Sequence, residues 1–296
     1  MRLRALAPAK VNLSLFLGGV RSDGRHELVT LVEPISLADE LTLGWRETGP
    51  DDVICPGVEG PNLAAAALAE LRSGGWDAPP VSIEIRKRIP VAAGLGGGSA
   101  DAACALRLAA CVKPLPAELD LGALASRLGA DVPSQLQPGL LLGTGAGDLV
   151  SPRAALSPHA FVIVPSSLPL STATVYAEAD RLGLPRSEAL LADRRAALEA
   201  ALASPGAQLP VELLSNDLAA AAISLHPDID AALAAVLAVG AEREFVCGSG
   251  PTAAGIFWGG DATERAVAAA TALIDRFPGA VAAAPVAPEY GFPQSA

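Results

Sequence analysis

The feature that most constrains the fold is a β-strand that leads through a glycine-rich loop into a helix. Residues 81–89 alternate apolar and polar side chains, with Lys87 as the one exception on the apolar side, and Pro90 ends the strand. Residues 94–98 then read Gly-Leu-Gly-Gly-Gly, and residues 99–112 have helical composition. Because glycines have no Cβ, they let the main chain approach a ligand closely. The junction therefore predicts a ligand-binding loop.

An anion is the ligand that such a junction favours. The first turn of a helix presents N–H groups without a partner inside the helix, together with the positive end of the helix dipole. Ser99 adds a hydroxyl that can cap the helix or contact a phosphate. The segment lacks the Lys-Ser/Thr of a Walker A loop, and Ser99 stands where the dinucleotide-binding fingerprint ends in Gly or Ala. A flexible connector without a ligand is the alternative.

The charge balance excludes one large class of partners. The chain has 21 basic and 32 acidic residues and a formal net charge of −11, whereas a nucleic-acid-binding protein needs a broad basic face. A local group of donors can still bind a small anion. The 296 residues are 51% hydrophobic and only 4% aromatic. We therefore expect a sizeable, helix-rich core that is finely packed with alanine.

Neither a membrane span nor a targeting signal is indicated. No apolar run reaches the ~18 residues of a membrane span, and Pro8, Lys10 and Asn12 interrupt what would be the apolar part of a secretion signal. The four cysteines show no Cys-x-x-Cys pair and no neighbouring histidine cluster, which disfavours a disulfide framework or a metal site. We expect a soluble, cytoplasmic protein without a membrane partner.

The order of the predicted elements indicates an α+β chain with two lobes. The predicted strands lie near residues 11–17, 26–35, 41–45, 81–89, 161–164 and 245–257, with a hairpin near 140–150. The predicted helices lie near residues 61–72, 99–112, 119–128, 186–203, 211–224, 228–238 and 261–276. The early part is rich in strands, and the composition changes after residue 150. We therefore predict domains at 1–150 and 151–296.

Short motifs along the chain resemble one known family. The glycine loop has the pattern Pro90-x3-Gly-Leu-Gly-x2-Ser99, which resembles the phosphate loop of the GHMP kinases, such as galactokinase, homoserine kinase and mevalonate kinase. The motifs that match one branch of this family in order and spacing are APAKVNL at 7–13, DGRHEL at 23–28, SLAD at 36–39, GADVP at 129–133 and GSG at 248–250. The resemblance implies the two-lobed GHMP-kinase fold, with an N-terminal lobe like domain 2 of ribosomal protein S5 and an α/β C-terminal lobe.

That branch implies a specific reaction. Its members use ATP to phosphorylate the 2-hydroxyl of a cytidine diphosphate-linked methylerythritol in non-mevalonate isoprenoid biosynthesis, so residues 1–150 would bind ATP and residues 151–296 would form the substrate side. Mg²⁺ would enter with the nucleotide, held by phosphate oxygens, and we assign no protein metal ligand. The expected partners are these small molecules, and we expect no nucleic-acid partner. We expect the chain to be a monomer or a homodimer. The alternatives are a GHMP kinase for homoserine or mevalonate, or a non-catalytic GHMP-fold binding module.

Lys10 and Asp131 are the candidate catalytic residues. Lys10 lies on a strand patterned for burial, and Asp131 lies in a tight apolar stretch where a carboxylate needs a partner. On the residues alone, Lys10 could be a cation that reaches solvent at a strand start, and Asp131 a turn residue. In the family, the matching aspartate accepts the proton of the substrate hydroxyl, while the matching lysine keeps it ionised and steadies the transferring phosphate. An ammonium beside a carboxylate favours the charged form that a general base requires.

Two further sets of residues follow from the resemblance. The ATP phosphate loop comprises Pro90, Val91, Ala92, Ala93, Gly94, Leu95, Gly96, Gly97, Gly98, Ser99 and Ala100. The candidate substrate-binding residues are Asn12, Arg25, His26, Thr172 and Tyr176. In the family, the histidine binds the cytosine edge, and the last segment places an aromatic ring against the base. On the residues alone, Asn12 and His26 could simply be polar residues facing water.

The sequence departs from the family at a few positions. Arg25 stands where the family has a tyrosine, so one aromatic face for the base is missing, and an arginine plane could stack there or contact phosphate. Ala100, Ser134 and Cys247 replace a serine, a phenylalanine and a serine. These three changes are small and leave the loop backbones usable.

Overall fold

The computed structural model describes residues 2–166 and 168–296, which form two sheets with flanking helices. The strands are β1 (Arg2–Val20), β2 (His26–Trp45), β3 (Asp52–Ile54), β4 (Val81–Arg86), β5 (Leu141–Thr144), β6 (Leu149–Pro152), β7 (His159–Val164), β8 (Arg243–Val246), β9 (Ala253–Trp258), β10 (Val281–Ala283) and β11 (Gln294–Ser295). The helices are α1 (Leu63–Ser73), α2 (Gly97–Val112), α3 (Leu121–Leu128), α4 (Val132–Gln135), α5 (Thr172–Arg181), α6 (Glu188–Ala201), α7 (Ala219–Leu225), α8 (Asp228–Ala238) and α9 (Ala262–Leu273), with 3₁₀ turns at Val211–Leu213 and Pro288–Gly291. The predicted α+β class is confirmed. Among the described residues, no helix combines the length and the apolar character needed to cross a membrane.

The first sheet is built on the long antiparallel pair of β1 and β2. Its order is β11-β1-β2-β4-β3, and β5, which also pairs with β6, lies beside another part of β2. Thr30 of β2 is opposite Gly143 of β5, whereas Leu41 of β2 is opposite Ile85 of β4. The two ends of β2 therefore have different neighbours. Residues beside β4 and residues beside β5 must lie at different ends of this sheet.

β2 is one continuous strand where the sequence predicts two. Its pairing with β1 shifts register between Pro8 and Ala9, because Pro8 pairs with Ala38 whereas Ala9 pairs with Ile35. Residues 36 and 37 therefore bulge out of the ladder. A proline has no N–H to donate to a neighbouring strand, and a bulge beside it lets the pairing resume on the other side.

The alanine-rich helix α2 is the central helix of the first core. Ala102, Ala103, Cys104 and Ala105 are fully buried, in one cluster with α1 and with β1, β2 and β4. Small side chains let the helix approach the sheet closely and fill the interior without voids. The predicted fine packing is confirmed here, and it anchors α2 against the sheet.

The second sheet has the order β10-β7-β9-β8, with α8 and α9 packed against it. The predicted helix over 211–224 is wrong in its middle, because an irregular segment separates the 3₁₀ turn from α7. In this segment, the side-chain amide of Asn216 donates to the main-chain carbonyls of Val246 and Gly248 at 2.7 and 2.6 Å. These tertiary hydrogen bonds outweigh the local helical preference.

His159 links the two sheets. Its Nε2 lies 2.7 Å from Oε2 of Glu33 on β2, and its Nδ1 lies 2.7 Å from the carbonyl oxygen of Ser157. Because both ring nitrogens face acceptors, both must carry a proton to satisfy them. Burial alone would lower the pKa of His159, but the hydrogen bond and charge of Glu33 and the Ser157 carbonyl raise this pKa above its ordinary value.

The free energy of unfolding is expected to fall as this imidazolium loses its proton. Because the folded-state pKa lies above the unfolded value of about 6.5, the stabilisation is complete below that pH and is lost as pH rises through the folded-state pKa. Urea unfolding at about pH 6 and about pH 9 should show a larger loss for wild type than for His159→Gln. The control His226→Gln should follow wild type, and equal losses in all three proteins would contradict the assignment.

Candidate active site

The glycine loop ends in a helix start that has no side-chain cap. Gly94 and Gly96 have φ angles of 77° and 70°, a left-handed conformation that glycine adopts without strain. Gly96 is the N-cap of α2, and a glycine offers no side chain to the first amides of the helix. Residues 97–99 line a cavity. Their N–H groups are therefore available to an anion in that cavity.

A turn that follows β8 packs directly on this loop. A Cβ built on Gly94 would overlap the carbonyl oxygen of Cys247 and come within 2.7 Å of that of Gly250. A Cβ built on Gly248 would lie 2.9 Å from the carbonyl oxygen of Gly94 and 3.2 Å from Nζ of Lys10. The two glycines thus permit backbone contact between the glycine loop and the second sheet.

Gly94→Ala is expected to destabilise the protein by about 3 kcal/mol or more, because the new methyl group overlaps backbone atoms in addition to straining a positive φ. The matched control is Gly24→Ala. Gly24 has a φ of 81°, and no heavy atom of the described residues lies within 4 Å of its Cβ position, so only the backbone strain of about 1 kcal/mol applies. Urea unfolding measures both, and equal losses would show that the contact with the turn is unimportant.

Lys10 and Asp131 lie side by side at the loop. Lys10 Nζ donates to Oδ1 of Asn12 at 2.7 Å and lies 3.3 Å from Oδ2 of Asp131. The ammonium group is buried, whereas the Asp131 side chain is 43% exposed. Asp131 is the N-cap of α4, but its carboxylate makes no capping bond to the described residues of that helix. One carboxylate oxygen is therefore available to a ligand while the ammonium compensates the charge.

These groups line one cavity of about 530 Å³, a volume within the range of small-molecule sites. The lining residues beside β3 and β4 include Cys55, Val58, Pro61, Asn62, Leu63, Lys87 and Asp101. The lining residues beside β5 or from the second half of the chain include Leu28, Ala146, Gly147, Thr172, Tyr176, Leu218 and Ser249. Since β4 and β5 border different parts of β2, the two groups form separate ends of the cavity.

Thr172 and Tyr176, both predicted for the substrate, reach the cavity from one face of α5. Thr172 Oγ1 lies 2.9 Å from Oγ of Ser249 in the turn. Burial raises the pKa of Tyr176, and the negative charge of Asp131 adds to the rise. The tyrosine ring is therefore close to the candidate base. Asn12 also lines the cavity, and its Nδ2 donates to Oγ1 of Thr30 at 2.8 Å.

His26 lies behind this wall and outside the described cavity lining. Its Nε2 lies 2.8 Å from Oδ1 of Asp180, and its ring centre lies 5.1 Å from that of Tyr176. The side chain is only 8% exposed. The structure therefore brings His26 against the tyrosine ring, where it supports the ring's position, and does not place it on the cavity surface.

Arg25 and Ala100 are the other predicted residues that the structure does not bring to the cavity surface. Arg25 Nη2 lies 3.0 Å from Asp23 and 3.2 Å from Asp148, so its guanidinium is held by two carboxylates. Ala100 is 1% exposed and packs into the core beneath α2. All the other residues predicted for the phosphate loop, 90–99, line the cavity.

A buried ionic cluster at the β4 end of the cavity is not among the sequence predictions. Lys87 Nζ lies 2.7 Å from Oδ2 of Asp101 and also donates to Asp39. Asp39 further accepts the main-chain N–H groups of Arg88 and Ile89. Both Lys87 and Asp101 line the cavity. The available signal was Lys87 itself, a lysine on the apolar side of its strand.

Comparisons with known proteins agree with this geometry. Two family models match the chain, GHMP kinases N terminal domain over residues 62–139 and GHMP kinases C terminal over residues 188–275. A 4-diphosphocytidyl-2-C-methyl-D-erythritol kinase of Rhodococcus jostii (strain RHA1) is 38% identical over 266 residues, which is 88% of this chain and 85% of the relative. A crystal structure of 4-(cytidine 5'-diphospho)-2C-methyl-D-erythritol kinase has a TM-score of 0.74 and 34% identity, over 95% of this chain and 98% of its own.

The fold is also shared with a more distant kinase. Homoserine kinase from Cytophaga hutchinsonii ATCC 33406 has a TM-score of 0.67 over 99% of this chain and 96% of its own, at 18% identity. The predicted resemblance and the two-lobed fold are therefore confirmed. The chain belongs to the GHMP kinase family, in the branch of the 4-diphosphocytidyl-2-C-methyl-D-erythritol kinases.

Proposed function

We propose that the protein transfers the γ-phosphoryl group of ATP to the 2-hydroxyl of 4-diphosphocytidyl-2-C-methyl-D-erythritol, a step of non-mevalonate isoprenoid biosynthesis. The observation that carries this proposal is the Lys10–Asp131 pair, 3.3 Å apart, in one cavity with the uncapped start of α2. Phosphoryl transfer depends on positioning and charge neutralisation more than on covalent chemistry. The names of the relatives support the choice of acceptor.

ATP would lie with its phosphates on the glycine loop and its nucleoside at the β4 end. The amides of residues 97–99 and the dipole of α2 suit the triphosphate. Beside β3 and β4, the side chains of Cys55, Val58 and Leu63 offer an apolar surface for a base. We assign this nucleotide site to a domain of residues 1–150, and the substrate wall on α5 to a second domain of residues 151–296.

Asp131 would act as the general base. Its exposed carboxylate accepts the proton of the acceptor hydroxyl, while Lys10 compensates its charge from below and donates to an oxygen of the transferring phosphoryl group. Lys10 is held in place on both sides, because its side chain donates to Asn12 and its main-chain N–H donates to Leu95 of the loop at 3.0 Å. Lys10 thus fixes the position of the proposed base relative to the phosphate site.

A magnesium ion would enter with the nucleotide. Among the described residues, no group of three or more His, Cys, Asp and Glu side chains is placed to hold a metal ion. The ion would be held chiefly by the phosphate oxygens and would neutralise charge during transfer. The contribution of the chain is to position those phosphates by the loop amides and by Lys10.

The acceptor would occupy the other end of the cavity. The ring of Tyr176 can stack on the cytosine, and His26 with Asp180 supports that ring from behind. Thr172 and Asn12 offer hydrogen bonds to the diphosphate and the polyol. Arg25 lies beside this end, where its guanidinium is held by Asp23 and Asp148, so it would order this wall rather than stack on the base.

Substrate-dependent release of ADP tests the proposal. We expect ADP release with the cytidine diphosphate-linked methylerythritol and none above background with homoserine or mevalonate. Turnover of either of those alcohols alone would assign another GHMP kinase activity. Binding of ATP without turnover of any of the three would favour a binding module. Gly96→Val is a useful negative control, because a Cβ on Gly96 would lie 3.0 Å from Cγ of Lys10 at a φ of 70°.

A further inference from the structure

The buried cluster of Asp39, Lys87 and Asp101 carries one negative charge more than its ammonium can neutralise. The side chains of Asp39 and Asp101 are 0% and 5% exposed. Asp39 is well satisfied, since two main-chain N–H groups and Lys87 all donate to it. Asp101 receives only Lys87 on Oδ2, and its buried Oδ1 accepts no hydrogen bond from any described residue. Asp101, which lines the cavity, therefore accepts fewer hydrogen bonds than Asp39, and its negative charge is the less stabilised of the two.

Among the residues that the structure describes, no other group near Asp101 supplies the missing positive charge. The groups that face it are Lys87 after β4, Asp39 on β2, Cys55 after β3 and Cys104 on α2 itself. Burial raises the pKa of both thiols, that of Cys104 to about 12, so both stay neutral. Burial also raises the pKa of Asp101 to about 7; the Lys87 ammonium opposes this rise and the Asp39 carboxylate adds to it.

We propose that Asp101 takes up a proton when a nucleotide binds, so that the cavity presents a neutral acid to the triphosphate. The proposal rests on the proposed function, in which the phosphates lie on residues 97–99. Asp101 lies two residues after this segment in helix α2. A bound triphosphate therefore brings several negative charges close to a buried carboxylate. Like charges in a poorly solvated site favour the protonated form. The proton comes from solvent, and no other bond changes.

Calorimetry of nucleotide binding measures the proton directly. The non-hydrolysable analogue AMP-PNP, with excess Mg²⁺, is titrated at about pH 7.5 in buffers of different ionisation enthalpy. Wild type should take up roughly 0.5 to 0.8 proton per nucleotide more than Asp101→Asn, a neutral variant of the same shape. The difference between the proteins cancels protonation of the analogue itself. The matched control Asp275→Asn, an exposed acid at the end of α9, should behave as wild type.

A pH series gives a second measurement, and its wild-type profile can be read without the variant. The affinity of wild type for AMP-PNP should fall as pH rises above about 7, by up to tenfold per pH unit, and the dependence should be much flatter in Asp101→Asn. Equal proton uptake in the two proteins, or a flat wild-type profile, would overturn the role of Asp101 while leaving nucleotide binding intact. Absence of AMP-PNP binding in wild type would instead overturn the proposed function, and this inference with it.

Discussion

Replacing Asp131 with asparagine is expected to lower kcat by roughly 10²- to 10⁴-fold, the usual contribution of a general base. The amide keeps the size of the side chain and its place at the start of α4, but it cannot accept the proton of the acceptor hydroxyl. Nucleotide affinity should change little, because the loop amides and Lys10 remain. Steady-state release of ADP gives kcat, and titration with AMP-PNP gives the dissociation constant.

Asp120→Asn is the matched control for this variant. Asp120 caps α3 through a 2.9 Å bond to the N–H of Ala123, outside the described cavity lining. The control should keep wild-type kcat and nearly wild-type stability, because asparagine caps a helix about as well as aspartate. If Asp131→Asn retained more than about a tenth of wild-type kcat, the residue would not be the base.

Lys10→Met is expected to lower kcat by roughly 10²- to 10³-fold, the range seen when one preorganised donor is removed from a site of developing charge. Methionine keeps much of the apolar stem of the buried side chain, so the loop stays packed against it. Lys113→Met removes a partly exposed ammonium that lies 2.7 Å from Asp77 outside the described cavity lining. This control should leave kcat unchanged, and thermal unfolding of both variants separates loss of folding from loss of chemistry.

The effects of Asp131→Asn and Lys10→Met on the free energy of activation should not be additive. Because Lys10 and Asp131 would act together in the proposed mechanism, the kcat of the double variant should be only slightly below that of the slower single variant. Strict additivity of the two effects on the free energy of activation would show that the two residues act independently. A Lys10→Met enzyme with wild-type kcat would contradict the role of the ammonium altogether.

The glycine loop that we propose to bind phosphate was predictable because it is local in sequence. The strand, Pro90, the run of glycines and the helix that follows lie within about 30 residues, and their conformations follow from short-range preferences. Helix α2 indeed begins at Gly97, within the glycine run. The catalytic pair is different, since nothing in the spacing of Lys10 and Asp131 shows that they meet. Only the resemblance to a family predicted that pair.

The ionic cluster was not predictable because it depends on strand register. The pairing of β2 with β4 puts Glu40 opposite Arg86, and this register alone brings Asp39 beside Lys87. The continuity of β2 likewise depends on a bulge that β1 imposes at Pro8. Short-range patterns carry no information on such pairings, since a shift of one residue would send each side chain to the other face.

The contact between the glycine loop and the turn after β8 was not predictable from the sequence for a similar reason. Gly94 and Gly248 were visible as members of glycine motifs, but their mutual contact needs both sheets to be in place. Asn216, which holds the turn, lies in a segment whose composition favours a helix. Tertiary hydrogen bonds decide its conformation, and local propensity does not reveal them.

The account requires that the glycine loop and the Lys10–Asp131 pair meet at the phosphoryl group that is transferred. A crystal structure with AMP-PNP, Mg²⁺ and the cytidine diphosphate-linked acceptor measures this directly. We predict that the γ-phosphate contacts Lys10 Nζ and the amides of residues 97–99 at about 3 Å, with the acceptor hydroxyl within hydrogen-bond reach of Asp131. A triphosphate bound away from the loop, or a hydroxyl beyond the reach of Asp131, would contradict it.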